Sequence, residues 1–523
     1  LWPLSLLPLL IIYDSSEVRC AFVILIMAGY WITEVFPMAI TSLLPIVLFP
    51  CLGVLTTDEA CSCYMNDTIM VFIGGLILAV AIEHCNLHLR IALGVMKMVG
   101  CSHSRLLGGL CVVTTFISMW VSNTAATAMM LPIIFAILQE LEEVLTDIKS
   151  PQEQILKPSK VTMSYLLIVA YSSTFGGTGT LVGTGTNLTF KGIYESTFPF
   201  AEGINFTDWM IASFPQMIAN SFLTWLYVRI AFLGYLRPKS KDALAATIGT
   251  EARYSALGPI SFHEIGVTIL FLLCIFLWIF RKPGFVFGWS ELITDIEIKD
   301  STPVILVSIL MFFIPKNPSF IYSWSKNRKH YSNYLKKRNT YIYIYIYIFI
   351  RNIINFIETK MPWSLMFLLG SGFAISKGSV HSSLAKTIGR TLTPLKSLPP
   401  IIIMTFICFF VGIITEFTSN VGIANITLPV IAQMSIAMEL HPMYLMIPAT
   451  LMCSFSFRLP VGTPPNALVT VAGHIPTKWL MMAGCLPSLY SLLVQILLFS
   501  TWGVFIYDIA EFPDWASDVT IKD

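Results

Sequence analysis

Of the 523 residues, 55% are hydrophobic and 12% are charged, where an ordinary soluble domain carries roughly a quarter charged residues. With 32 Lys and Arg against 30 Asp and Glu the net charge is +2, too thinly spread for the electrostatic footprint of a nucleic-acid binder. The mean hydropathy of +0.75 excludes a soluble multidomain enzyme and points to a polytopic membrane protein, since each spanning helix needs about 20 mainly apolar residues.

In chain order, an apolar run from Leu1 to Tyr13 without a basic leader reads as a first spanning helix cut short rather than a signal peptide. Apolar segments recur at about 20–33, 36–55, 69–84, 107–139, 162–188, 208–236, 264–280, 302–315, 361–376, 398–438, 442–473 and 479–507. Backbone groups in lipid must be satisfied internally, so the expected fold is all-α, a bundle of membrane helices. Basic residues gather at Arg90, Lys97 and Arg105, at Lys149, Lys157 and Lys160, and at Arg237, Lys239, Lys241 and Arg253. The positive-inside rule places these loops in the cytoplasm, with the acidic tail after Tyr507 outside. The 11 cysteines are scattered; Cys61 and Cys63 lack zinc spacing, a disulfide near Cys61 requires an extracytoplasmic loop, and buried inert thiols are expected for most of the others.

Between the two halves, Lys326 to Phe356 breaks the pattern with strict Tyr/Ile alternation from Tyr341 to Ile348. That period of two belongs to a strand, out of place among membrane helices. Translated non-coding sequence, since a TATATA repeat encodes Tyr and Ile, is the expected explanation; a genuine cytoplasmic or interfacial insert is the competing one. The chain thus divides into an N-terminal half (1–320), a low-complexity insert (321–360) and a C-terminal half (361–523).

A pair of motifs occurs in both halves. Ser122-Asn123 is followed after seven residues by Leu131-Pro132-Ile133, and Ser419-Asn420 after the same interval by Leu428-Pro429-Val430. Downstream stand Val182-Gly183-Thr184-Gly185-Thr186-Asn187 and Val461-Gly462-Thr463-Pro464-Pro465-Asn466. Repeated, Gly/Pro-interrupted apolar segments mark the binding site of a secondary transporter. The stretch 107–139 is too long for one span and too short for two with a turn, so it is expected to form a re-entrant hairpin with Ser122, Asn123 and Thr124 at its tip. For 399–439, two complete spans remain an alternative. The Gly/Pro motifs break a helix each, freeing carbonyls for a hard cation and amides for an anion.

Other signals carry less. The glycine run lacks the strand and helix of a dinucleotide site, and the second His of a zincin motif after His263-Glu264 would fall at Val267. Glu34 and Glu416, inside apolar stretches, are open to a structural or a proton-carrying role. Three roles are open to Arg458: attracting an anion, reaching an interface, or pairing with a carboxylate. An intramembrane enzyme using Ser122 or Ser371 as nucleophile is disfavoured, because no His or Lys partner stands in register with either, and a channel is disfavoured because broken repeats suit alternating access.

WITEVFP (31–37), SMWVSNTAATAMMLP (118–132), TLVGTGTNL (180–188), PWSLMFLLGSGFA (362–374), TEFTSN (415–420) and LPVGTPPNA (459–467) resemble the blocks of the divalent anion/sodium symporter family, carriers of di- and tricarboxylates and sulfate. Within it the insect citrate and dicarboxylate transporters look most similar. The resemblance implies a plasma-membrane homodimer of about eleven spans, with inverted repeats, two re-entrant hairpins, and a transport domain moving as an elevator against a scaffold. It implies transport of Krebs-cycle carboxylates, or of sulfate as the alternative, by sodium symport or by exchange, with no cofactor and sodium as the coupling ion. Carried over by motif, substrate contacts are Ser122, Asn123 and Thr184 with Ser419, Asn420, Val421 and Thr463. The first sodium site takes Ser118, Asn123 and Gly183; the second takes Thr415, Asn420 and Gly462. Val421, Thr186 and Arg458 depart from the family's usual Thr or Pro, Pro, and apolar residue.

Overall fold

The computed structural model describes residues 2–33, 35–99, 103–143, 159–234, 251–282, 287–314, 363–384, 387–388, 391, 396–509 and 511–518. Glu34, the Tyr/Ile insert, and Lys149, Lys157, Arg237, Lys239 and Lys241 lie outside the described residues. The described residues are helical or irregular, with no strand among them.

The first helices are α1 (Trp2–Ile12), α2 (Ser16–Thr33), α3 (Leu44–Cys51), α4 (Asp67–His84) and α5 (Leu87–Val99). Asn66 starts α4 by accepting the Ile69 amide at 3.0 Å, which satisfies one orphan donor of the first turn. Two helices joined by a four-residue turn follow, α6 (His103–Ser118) and α7 (Asn123–Glu143). The next apolar stretch is interrupted: α8 (Lys160–Gly176) gives way to a short 3₁₀ turn and resumes as α9 (Gly185–Thr197). Beyond it come α10 (Phe206–Val228), α11 (Phe262–Ile279), α12 (Ser301–Met311) and α13 (Trp363–His381).

The C-terminal half repeats the pattern. A short turn joins α14 (Pro400–Ile414) to α15 (Asn420–Ala437), and a second interrupted helix, α16 (Pro442–Ser454) and α17 (Pro464–Ala472), precedes α18 (Thr477–Leu498). Pro132 and Pro429 occupy matching places inside α7 and α15.

Five helical stretches are long and apolar enough to cross a membrane: Ser16–Thr33, Thr57–His84, Phe262–Ile279, Asn420–Ala437 and Thr477–Tyr507. The interrupted helices are shorter. At about 1.5 Å rise per residue, α9, α16 and α17 each fall well short of a hydrocarbon core of about 30 Å.

The two halves exchange partners. α8 packs against its own pair, α6 and α7, and α16 against its own pair, α14 and α15. After each break the contacts cross over: α9 packs on α15, and α17 on α7. Each interrupted helix therefore begins in its own repeat and ends against the other, so both breaks lie where the halves meet. Phe175 of α8 and the unwound residues Phe455 and Phe457 fill this junction, with ring centroids 5.0–5.1 Å from Phe175.

Ionic contacts fix α9 from outside the repeat. Lys191, 3% exposed, places Nζ 2.8 Å from Asp300 Oδ2, and Arg281 Nε lies 2.8 Å from Asp300 Oδ1. Charge at such depth is tolerated because it is paired. Cys61 and Cys63 are unbridged, and seven of the ten described cysteines are buried.

Candidate functional site

Both turns and both breaks open on one cavity of about 340 Å³. Its polar wall consists of Ser122, Asn123, Thr124, Thr184, Ser419, Asn420 and Thr463, with Gly183, Gly185, Gly462 and the backbone around them. Its apolar wall includes Phe72, Leu76, Trp120, Val421 and Leu365. Among the described residues, no charged side chain lines it.

Four helices point their N-termini at this space. α7 and α15 start at Asn123 and Asn420, and α9 and α17 start behind Thr184 and Thr463. Ser419, Thr184 and Thr463 sit at N-cap positions without using their side chains to cap, so their hydroxyls are left for a ligand. Each helix start carries roughly half a positive elementary charge, and those of α7, α9 and α15 add free amides, which together attract an anion without any lysine or arginine. The four starts are not equal donors: Gly185 and Thr186 carry N–H groups, whereas Pro464 and Pro465 have none.

Beneath the wall the repeat is visible at atomic detail. Ser118 Oγ lies 2.8 Å from Asn123 Oδ1 and 2.6 Å from Ser173 O, with its one hydrogen shared between these two acceptors. Thr415 Oγ1 stands in the same relation to Asn420 Oδ1, at 3.0 Å, and to the Cys453 carbonyl. Ser118 and Thr415 are themselves fully buried and do not line the cavity. Glycine is required at the first break, because a Cβ on Gly183 would lie 2.5 Å from Gly177 O and one on Gly177 would lie 2.2 Å from Asn123 Oδ1. Val421 approaches the first break from the other repeat: a Cβ on Gly185 would meet its Cγ2 at 2.9 Å.

Two asparagines that end the Gly/Thr/Pro motifs hold the breaks in shape. Asn187 Nδ2 donates to Gly177 O at 3.1 Å and to Thr180 O at 2.8 Å. Asn466 Nδ2 donates to Ser456 O at 3.1 Å and to Leu459 O at 3.3 Å. The acceptors stand ten and seven residues upstream in both cases. Their role was missed from sequence, although an Asn at the same place in both motifs was the signal for it. Thr186 bonds Ser454 across the halves, its Oγ1 2.5 Å from Ser454 Oγ.

The breaks differ in one respect. The first is tied by Thr180, whose hydroxyl donates to Met119 O and accepts from the Gly183 amide at 3.1 Å. The second is tied by Glu416, buried to 1% exposure. Its carboxylate accepts from Ser456 Oγ at 2.9 Å and from the amides of Phe457, Arg458 and Leu459 at 3.0, 2.9 and 3.2 Å. Arg458 Nε completes the set at 3.1 Å. Of the three roles open to Arg458, the structure therefore shows carboxylate pairing.

Residues 1–509 match the sodium:sulfate symporter transmembrane region. The chain belongs to the sodium:sulfate symporter family. It is 42% identical to the protein I'm not dead yet of Drosophila melanogaster, over 98% of this chain and 90% of that one. It is 37% identical to the Na(+)/dicarboxylate cotransporter 3 of Homo sapiens, covering 99% and 94%, and 36% identical to the Na(+)/citrate cotransporter of Mus musculus, covering 99% and 96%. Among solved structures, the YdaH transporter of Alcanivorax borkumensis shares the fold, with a TM-score of 0.54 at 12% identity over 88% of both chains. MtrF of Neisseria gonorrhoeae matches with a TM-score of 0.51 at 11% identity, covering 85% of this chain and 83% of that one. As a member of this symporter family with several long apolar helices, the chain is a multi-pass membrane protein.

Proposed function

We propose that this symporter-family chain is a secondary active transporter that carries di- and tricarboxylates such as succinate and citrate across the plasma membrane with sodium as the coupling ion. The observation that carries the reading is the convergence of four helix N-termini on one uncharged cavity. A polyanion is attracted there by dipoles and amides, yet no fixed counter-charge holds it so firmly that release fails. The relatives named as sodium/dicarboxylate and sodium/citrate cotransporters share the chain over nearly its whole length.

In this reading one carboxylate meets Ser122, Asn123 and Thr184, and another meets Ser419, Asn420 and Thr463, with Val421 shaping the apolar side. Sodium is held by Ser118, Asn123 and Gly183 at one site and by Thr415, Asn420 and Gly462 at the other. Hydroxyl, amide and carbonyl oxygens of this kind suit a hard monovalent cation. The pairs α6–α7 and α14–α15 act as re-entrant hairpins of inverted repeats, and the chain works as a homodimer of about eleven spans per protomer in which the cavity-bearing domain moves as an elevator. The domain boundaries are those read from sequence, at 1–320, 321–360 and 361–523. Catalysis at Ser122 would need a base, and among the described residues no His, Lys, Asp or Glu lines the cavity.

Uptake of radiolabelled citrate and succinate by expressing cells, in sodium and in choline medium, tests this function. Sodium-dependent uptake with mutual competition is expected. Sulfate uptake that neither organic acid inhibits would replace the carboxylate assignment with the inorganic one.

A further inference from the structure

The charged residues at the far end of α9 fall into two sets, each balanced on its own. Lys191, buried to 3% exposure, reaches from α9 to Asp300, at 1% exposure just ahead of α12, with Nζ 2.8 Å from Oδ2. On its own side of this contact Lys191 also donates to the Ile204 carbonyl at 3.0 Å and lies 3.6 Å from Glu195 Oε1, one turn further along α9. On the other side Asp300 has Arg281, which follows α11: Arg281 Nε is 2.8 Å from Asp300 Oδ1, and Nη1 donates to the Ile298 carbonyl at 2.8 Å. Arg281 crosses the divide as well, donating from Nη2 to Asn205 Oδ1 at 2.7 Å, and Asn205 in turn donates to Asp208 Oδ2 at 3.1 Å.

The helices behind the two sets pack into different groups. α9 packs chiefly on α13, α15 and α16, whereas α12 packs on α4 and α11. Both sets line one cavity of about 230 Å³, which gives water a way to the charged groups as they part.

A buried charge that loses its only partner is strongly destabilising. Opening the Lys191–Asp300 contact avoids that outcome, because Lys191 retains Glu195 and the Ile204 carbonyl while Asp300 retains Arg281. Neither ion is stranded. For a permanent contact the spare partners on both sides add nothing; for one that opens they decide whether it can. We propose that the Lys191–Asp300 pair is a breakable latch: it holds α9, and with it the Thr184 end of the carboxylate cavity, against the α11–α12 group in the arrangement described here, and it opens in each transport cycle with Glu195 taking over the lysine. Glu195 is thereby a positioning residue that acts through Lys191 when the latch is open. The latch rests on the reading above, in which the cavity-bearing domain moves, and adds to it a contact that must give way.

Glu195→Gln separates the latch from a purely structural cluster. In the closed arrangement Lys191 keeps Asp300, so folding and citrate binding are expected to persist; in the open one the lysine has lost its charged partner. Parent and variant are purified and compared in liposomes under an inward sodium gradient. The maximal rate of radiolabelled citrate uptake should fall about tenfold, the order of one lost charged hydrogen bond, with thermal unfolding and equilibrium citrate binding unchanged. Adding Lys191→Met to Glu195→Gln removes the stranded charge and should restore most of the lost rate, whereas a structural cluster makes the double variant the worse of the two. An unaltered rate in Glu195→Gln overturns the latch, as does a slower rate matched by an equal loss of binding or stability. A double variant that folds and stays slow overturns it too; where the double variant does not fold, Glu195→Gln alone decides. Parent protein that binds citrate yet moves none under the gradient would instead overturn the underlying transport reading.

Discussion

The guanidinium of Arg458 is bound to Glu416, Nε to Oε1 at 3.1 Å, and Arg458 takes no part in lining the cavity between the two repeats. The carboxylate is the structural member of the pair. It collects three successive backbone amides of the unwound segment, whereas the arginine side chain is 31% exposed.

Glu416→Gln is therefore expected to destabilise the protein by about 2 kcal/mol or more, because hydrogen bonds to a buried charge are lost. Arg458→Leu removes one partly solvated ion pair and is expected to cost less than about 1 kcal/mol. Thermal unfolding of the purified protein in detergent checks both. A larger effect of the arginine change would contradict this division of roles.

The repeat, both breaks and the polar tips were legible in the sequence, since Ser122-Asn123 and Ser419-Asn420 recur at fixed spacing before paired Gly/Thr/Pro motifs. The tie that shapes each break was not. Asn187 and Asn466 act on carbonyls ten and seven residues upstream, and such bonds become apparent only once the helix is known to unwind there. Glu416 was conspicuous as a carboxylate in an apolar run, but its partners lie 40 to 43 residues away. The pairing of Lys191 with Asp300, 109 residues apart, gave no local signal.

Gly183→Ala is expected to abolish uptake while surface expression is largely retained. The added Cβ meets the Gly177 carbonyl at 2.5 Å, and backbone cannot give way without moving the first break. Surface biotinylation with citrate uptake separates the two quantities. Normal uptake would show that the break adjusts freely.

Asn123→Ala and Asn420→Ala each remove a polar group from a preorganised wall, at about 1–3 kcal/mol per lost interaction, or roughly tenfold to hundredfold in citrate affinity. Each change should also weaken sodium activation, because coupling between two ligands is reciprocal. Sodium titrations at several citrate concentrations make the comparison. Weaker citrate binding with an unaltered sodium response would separate the sites.

Deletion of Lys326 to Phe356, whose Tyr/Ile alternation fits neither a membrane helix nor the family blocks, is expected to leave citrate uptake within about twofold of the parent chain, a change of less than about 0.5 kcal/mol. Loss of folding on deletion would make the insert part of the fold.

The central claim is that the uncharged cavity couples carboxylate movement to sodium. Purified protein in liposomes, given an inward sodium gradient, measures this most directly. Radiolabelled citrate or succinate should accumulate above its external concentration and leak back when a sodium ionophore collapses the gradient. Equilibration that never exceeds the external concentration and ignores the gradient would contradict sodium coupling and leave exchange in its place.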